Sequence, residues 1–343
     1  MNWINRKIKK SNEILRVDKK MSNNTTKKAI NFLSFLTSYK CTNECKHCAL
    51  LASPNQDDIK IEFGDLKRYL EDITSNYIVQ EVGFFGGEPL LNFDLLISFI
   101  EEVKKYDIPK IGLPTNGYWG KKDSIAKEYA LKLKKAGLNS IGFSVDAFHQ
   151  EFIPLDDVKN AVRACHEAGI EIIYLISQNL GGPGAKNTFN EKTKEITDIL
   201  SDEFDYYQLI TGDLQVKGRA ANHLTEYFSM ETIPSDKCLI FKVPMFMIDP
   251  NGWVFHQLCQ GITIGNAKKK PLSEIISEFN YRKHPIIGKV VAKGGPQNLL
   301  EMAIEKGYKP LSGYADKCHI CSSARNFLRP YYPNILEPSN LYL

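Results

Sequence analysis

Residues 31–48 read NFLSFLTSYKCTNECKHC. An apolar run with the look of a buried strand leads directly into Cys41, Cys45 and Cys48, a C-x3-C-x2-C cluster. Eight cysteines spread over 343 residues do not gather three into one eight-residue stretch without a reason. Ligand number is the first guide to that reason. A closed structural zinc takes four ligands, usually from two C-x2-C pairs, and this loop offers three thiols. Three thiolates on one loop suit a cubane [4Fe-4S] cluster whose fourth iron has no protein ligand and is open to a small molecule. Zinc completed by a fourth residue such as His47 is the alternative reading.

Outward from this loop, strand-like apolar runs alternate with helical patterns, as in repeated βα units around a parallel sheet. The runs predict strands at Asn31 to Ser38, Ile78 to Phe85, Lys110 to Pro114, Ser140 to Val145, Glu171 to Ser177 and Tyr206 to Ile210. Helices are expected at about 62–76, 92–106, 122–136, 155–168 and 190–202. The fold class expected is α/β, a partial (β/α)6 barrel of the TIM type with a small C-terminal appendage. In such folds the loops at the carboxyl ends of the strands converge on one mouth. CTNECKHC follows the first strand, GGEP the second, Thr115-Asn116-Gly117 the third, Asp146 to His149 the fourth and Gln178-Asn179 the fifth.

In these features the chain resembles the radical SAM superfamily. Cys41, Cys45 and Cys48 match its cluster loop, with His47 where the family carries a ring before the last cysteine. Gly86, Gly87, Glu88 and Pro89 match the motif that in the family holds the amino group of S-adenosylmethionine. The resemblance implies that the open iron chelates the methionyl group and that one electron cleaves the sulfonium. The 5′-deoxyadenosyl radical then takes a hydrogen atom from substrate. It implies a flavodoxin- or ferredoxin-type reductant. Glycine at 86 and 87 lets the backbone approach the methionyl group, and Glu88 is expected to accept from its ammonium. Asn116, Ser144 and Asp146 resemble the polar residues that meet the ribose and carboxylate, although an Asn-Gly turn and a helix cap explain Asn116 and Asp146 as well. His149, in SVDAFHQEF, is a candidate catalytic residue facing substrate or the adenosyl group, with a structural role as the alternative.

Beyond residue 237 the repeating pattern stops. The segment from Val243 to Cys259 reads as a hairpin turning at Asn251-Gly252, a dipeptide that tolerates positive φ at both positions. Cys238 precedes it, Cys259 ends it, and Cys318 with Cys321 follows as CHIC. As donors, these four thiols fit a closed tetrahedral zinc. They also resemble the auxiliary domain of the SPASM and Twitch branches of the superfamily, which implies a second [4Fe-4S] cluster. Cys165, inside a helical pattern, reads as a packed thiol. The domain plan expected is a basic, flexible extension over 1–30, the barrel over 31–215, a linker over 216–237, the auxiliary domain over 238–330 and a tail over 331–343.

The overall layout looks most like radical SAM enzymes that modify ribosomally made peptides, with Twitch-type peptide epimerases closest in plan. Those epimerases carry a hydrogen-donating cysteine beside an auxiliary-cluster ligand, whereas Leu258 and Gln260 flank Cys259 here. Either Cys259 is itself the catalytic donor, with His256 or solvent completing the second cluster, or the reaction is a cross-link or dehydrogenation. A small-molecule mutase or dehydrogenase and a non-catalytic cluster-bearing protein are the other readings.

Composition sets the outer bounds. Apolar residues make up 43% and charged residues 24%, as in an ordinary globular protein. Apolar runs are too short to span a bilayer and the first residues lack a secretory h-region, so neither a membrane nor an oxidising compartment is implied, and a cytoplasmic place is expected. Within residues 1–30 nine Lys and Arg face Glu13 and Asp18, leaving the remainder slightly acidic. No nucleic-acid partner is expected; the substrate is expected to be a peptide or a small molecule.

Overall fold

In the computed structural model, which describes residues 27–181, 184–230 and 237–342, the first expected strand runs from Phe32 to Leu36 and a separate short strand precedes it. β1 (Lys28–Ile30) pairs in parallel with β3 (Tyr77–Val79), while β2 (Phe32–Leu36) enters the main sheet. Lys28 to Ile30 of the expected flexible extension are therefore sheet residues, and residues 1–26 of it lie outside the described residues. All five residues of β2 are buried, because a parallel sheet covered on both faces admits no polar-out alternation.

The βα repeat then runs α1 (Phe63–Asn76), β4 (Glu81–Phe85), α2 (Phe93–Val103), β5 (Lys110–Thr115), α3 (Asp123–Ala136), β6 (Ser140–Ser144), the one-turn α4 (Ala147–Gln150), α5 (Leu155–Glu167), β7 (Ile172–Asn179), α6 (Thr188–Glu203) and β8 (Gln208–Asp213). Each helix turns an apolar stripe inward. α1 buries Leu66, Tyr69, Leu70 and Ile73, the i, i+3, i+4, i+7 set of one face. Phe35 on β2 stacks on Phe84 of β4, and Phe84 stacks on Phe99 of α2. The last strand begins two residues later than Tyr206, whose ring stacks on His166.

Strands β2, β4, β5, β6, β7 and β8 are consecutive neighbours, all parallel, which is the expected (β/α)6 half-barrel. The sheet does not close. At its other edge β9 (Met245–Ile248) lies parallel to β2, pairing Phe32 with Met245 and Phe35 with Ile248. β10 (Trp253–His256) and β11 (Cys259–Asn266) follow antiparallel, giving nine strands in one sheet. The expected hairpin is present, but it covers the edge that β2 would otherwise expose.

Its turn differs from the expected one. Only Gly252 takes positive φ, at +83°, and the loop is four residues long. Asp249 is the reason: its Oδ1 accepts from the amides of Asn251 and Trp253, and its carbonyl accepts from Gly252 at 2.9 Å.

The one-turn α7 (Ala220–His223) is followed, beyond the hairpin, by helices α8 (Leu272–Glu278), α9 (Ile287–Val291), α10 (Gln297–Ile304) and α11 (Lys317–Leu328). α8 packs on the barrel core through Leu272 and Ile275. The others enclose a second core built on Phe241, Ile262, Ile287, Leu299 and Leu328. Among the described residues no helix is long and apolar enough to cross a membrane.

Candidate active site

The five loops named from the sequence leave the same edge of the parallel sheet. The cysteine loop starts where β2 ends, and Cys41 donates its amide to Ser53 at 3.1 Å, closing the loop on itself. Cys41 and Cys45 are buried and Cys48 is half-buried. Burial pushes the Cys41 thiol up to about 12, with the Glu88 carboxylate adding to the shift. Burial raises Cys45 as well, and Cys48 and Cys41 beside it act in the same direction. Thiolates in such a pocket require a compensating cation, which a metal centre supplies.

The GGEP segment lies flat against this loop. Gly87 donates to the Ser38 carbonyl at 2.9 Å and Glu88 to the Lys40 carbonyl at 3.0 Å. A Cβ at Gly87 would stand 2.2 Å from the Lys40 oxygen and 2.8 Å from Cys41 Cβ, so glycine is required by backbone packing. The bare faces of the two glycines thus meet the cysteine loop, while their carbonyls receive no donor among the described residues.

Glu88 takes a different place from the one expected. It is 2% exposed; Oε1 accepts from the Leu90 amide and the Thr115 hydroxyl, and Oε2 accepts from the Asn116 amide at 2.8 Å. The carboxylate is a hub between the second and third loops rather than an acceptor pointing at ligand. Burial raises its pKa to about 7, against those three donors. Pro89 follows at the start of a single helical turn and is buried. Asn116 is likewise committed, donating from Nδ2 to Thr42 Oγ1 at 2.8 Å and accepting from Tyr118. Its amide ties the third loop to the cysteine loop, and Gly117 beyond it takes φ +81°.

At the end of β6, Ser144 is half-buried in the ladder opposite Ile176. Asp146 caps α4, accepting from the amides of Phe148 and His149 and from His149 Nδ1 at 2.8 Å. Burial favours its neutral form, yet the His149 partner outweighs that and holds it down to about 2. His149 is raised in turn: burial opposes the imidazolium and Asp146 more than compensates. The His47 ring stacks on Phe148 and meets His149 edge-on, with centroids 4.6 and 4.8 Å away. Burial pushes His47 down to about 4, so this ring is neutral. The buried Asn43 and His47 and the half-buried Gln150 have enclosed polar atoms with no partner among the described residues: Asn43 Nδ2, His47 Nδ1 and both amide atoms of Gln150. Orphaned polar atoms beside buried thiols and free glycine carbonyls are what a polar ligand over the cysteine loop would satisfy.

The four remaining candidate ligands also come together. Cys259 opens β11, Cys318 and Cys321 sit in the first turns of α11, and Cys238 donates its amide to Val290. Cys321, Cys238 and Cys259 pack on one apolar cluster. Burial raises Cys321 to about 12, with Arg325 pulling it down and Cys259 and Cys238 pushing it up. Cys318 is raised by burial and senses Cys321 and Cys259. His256 cannot replace Cys259 as a ligand, because Nε2 meets the Val243 carbonyl and Nδ1 accepts from the Leu258 amide. Cys165 is fully buried in α5, away from both sets.

Sequence reasoning missed Arg219, which donates from Nε to the Cys45 carbonyl, and Thr115, whose hydroxyl joins Glu88 to the Gly117 amide and the Trp119 indole. Neither lies in a local pattern that would mark it, although Thr115 directly precedes the Asn-Gly turn.

Residues 35–187 match the family model described as the Radical SAM superfamily. YydG of Bacillus subtilis (strain 168), named a peptide biosynthesis protein, is 26% identical over 121 residues, 35% of this chain and 37% of its own. A protein of Methanococcus aeolicus named GTP 3′,8-cyclase is 30% identical over 159 residues, 42% of this chain and 50% of its own. The chain thus spans half or less of the length of these curated relatives. Among solved structures, native anSMEcpe with bound AdoMet and Cp18Cys peptide matches 88% of this chain and 97% of its own, with a TM-score of 0.51 and 14% identity. The same protein with AdoMet alone gives 0.52 at 15% identity over 87% of this chain and 96% of its own, a likeness of fold. Over residues 35–187 this chain carries a domain of the radical SAM superfamily.

Proposed function

We propose that the protein is a two-cluster radical SAM enzyme acting on an unactivated C–H bond of a peptide. Cys41, Cys45 and Cys48 would hold a [4Fe-4S] cluster, and Cys238, Cys259, Cys318 and Cys321 a second one. The observation that carries the reading is the coincidence, at one mouth, of three thiols, two of them buried, two free glycine carbonyls and orphaned polar atoms on Asn43, His47 and Gln150. Bound there, cluster and S-adenosylmethionine supply the one-electron chemistry that removes a hydrogen atom, while the protein orients the group and excludes side reactions.

The chain's own residues divide the work. The Gly86 and Gly87 carbonyls offer acceptors to an ammonium, and Glu88 holds them in place by binding the third loop. The neutral His47 ring, held on Phe148, offers a flat surface and one free nitrogen to an adenine-sized group. His149 is anchored by Asp146, which favours its imidazolium form, and lies edge-on to the His47 ring. The peptide class is supported by the name of YydG. A cross-link or dehydrogenation is favoured over epimerisation because Cys259 has no neighbouring thiol and His256 has no nitrogen free to replace it.

Anaerobic reconstitution tests this reading. About eight irons per chain are expected, with 5′-deoxyadenosine released on reduction with S-adenosylmethionine. Cys45→Ala abolishes the release; Cys318→Ala keeps it, lowers iron by about half and stops formation of modified peptide. A peptide encoded beside the gene should lose two hydrogens. Four irons plus a zinc would overturn the second cluster, and turnover of a nucleotide instead would overturn the peptide assignment.

A further inference from the structure

Two cations close on the second cysteine set, and neither has a carboxylate within ion-pair distance among the described residues. Arg325 lies one turn after Cys321 on α11 and is 6% exposed. Its Nη1 donates to the Gln260 carbonyl at 2.8 Å and its Nε faces the Cys321 carbonyl at 3.4 Å. Lys217 comes from the segment after β8, and its Nζ donates to the Leu258 carbonyl at 3.0 Å and to Gln260 Oε1 at 3.2 Å. The two side chains therefore grip Leu258-Cys259-Gln260 from two directions, and both line one narrow cleft with Gln260, Ser322 and Tyr342.

A guanidinium buried against neutral carbonyls is strongly unfavourable unless some negative charge faces it. The groups on hand to supply that charge are the thiols of this set: Cys321 lies one turn before Arg325 on α11, and Cys259 lies between Leu258 and Gln260, both of which Lys217 holds. Asp316, the α11 cap two residues before Cys318, accepts from the Val216 and His319 amides. The arrangement is asymmetric. The first cysteine loop has Arg219 on its carbonyls, but the segment that brings Arg219 to it also sends Lys217 to the second set, two residues earlier.

We infer that Lys217 and Arg325 are the counter-cations of the second cysteine centre and raise its reduction potential, making it an electron acceptor for the substrate radical. The inference rests on the two-cluster reading above. A four-thiolate iron–sulfur centre is anionic in both oxidation states and gains one more negative charge on reduction, so fixed cations beside it stabilise the reduced form more. This matches a reaction in which the substrate loses one hydrogen atom, then one electron to the second cluster and one proton to solvent as the new bond forms.

The test is an EPR-monitored redox titration of the full-length, anaerobically reconstituted protein. Lys217→Met, at a half-buried position, should retain eight irons by analogy with two four-iron clusters. It should shift the second centre's reduced-to-oxidised ratio about tenfold, or about 59 mV lower for a one-electron couple. Lys217→Arg should restore the potential, and Arg325→Lys should shift it less than Arg325→Met. Should the Arg325 variants lose iron, the Lys217 pair decides alone. A Lys217→Met protein with full iron and an unchanged second midpoint overturns the inference while the two-cluster reading stands. A wild-type protein with four irons and one EPR signal overturns both.

Discussion

Arg219 donates from Nε to the carbonyl oxygen of Cys45 at 2.9 Å, across 174 residues of sequence, and its own amide reaches the Cys48 carbonyl at 3.1 Å. Its guanidinium also bonds the Ala52 carbonyl. One side chain thus holds both ends of the loop that carries two of the three thiols. Gly218 makes the approach feasible, since a Cβ there would stand 2.5 Å from the Cys48 oxygen. The segment expected as a linker is in this sense part of the site.

Arg219→Gln should release those carbonyls. Charge-assisted hydrogen bonds contribute about 1.5–3 kcal/mol each, and the loop loses at least one. The expected outcome is a melting temperature lower by a few degrees and a first cluster that loses iron to a chelator several times faster than wild type. Retention of iron at the wild-type rate would show that the loop does not depend on Arg219.

Gly87→Ala and Gly64→Ala form a matched pair. At Gly87 a methyl group would strike the Lys40 carbonyl, forcing GGEP off the cysteine loop at a cost of about 1–3 kcal/mol. At Gly64, in the first turn of α1, nothing lies within 4 Å of the new Cβ. There the substitution should be neutral or stabilising by up to about 1 kcal/mol. Chemical denaturation of the two variants distinguishes backbone crowding from a general intolerance of alanine.

Asp249 gives a pH signature away from the thiols. It is 1% exposed, and burial raises its carboxyl from 3.8 to about 6 in spite of the Trp253, Asn251 and Tyr39 donors. The folded state therefore binds this proton more tightly than the unfolded chain. Its contribution is fully present below pH 3.8 and is lost as pH rises through about 6. Asp249→Asn keeps the acceptor for both amides and can donate to Tyr39, so it should fold. Relative to wild type its stability should rise across that window, by no more than about 3 kcal/mol. A constant difference between the two proteins from pH 4 to 7 would contradict the assignment.

Much of this architecture was legible because it is written locally. The strands from Phe32 to Asp213 announce themselves as apolar runs, and α1 shows its buried stripe at helical spacing. The cysteine spacing and GGEP mark the mouth within a few residues each. What was not legible depends on contacts between distant segments. Nothing near Met245 signals that it lies beside Phe32, because parallel pairing leaves no turn to read. Glu88 was expected to point at ligand, but its three donors come from Leu90, Thr115 and Asn116, so only the packed loop shows it facing inward. Arg219 and Lys217 belong to the same category, cations whose partners lie on loops far away in sequence.

The central claim is that three thiols hold a cluster with one iron open to S-adenosylmethionine. Its most direct measurement is the EPR spectrum of the reduced, reconstituted protein during titration with that nucleotide, in wild type and in Cys45→Ala. The account predicts a first-cluster signal whose g-values shift to saturation in wild type and no such signal in the variant. A wild-type spectrum unchanged by the nucleotide at full iron content would contradict it.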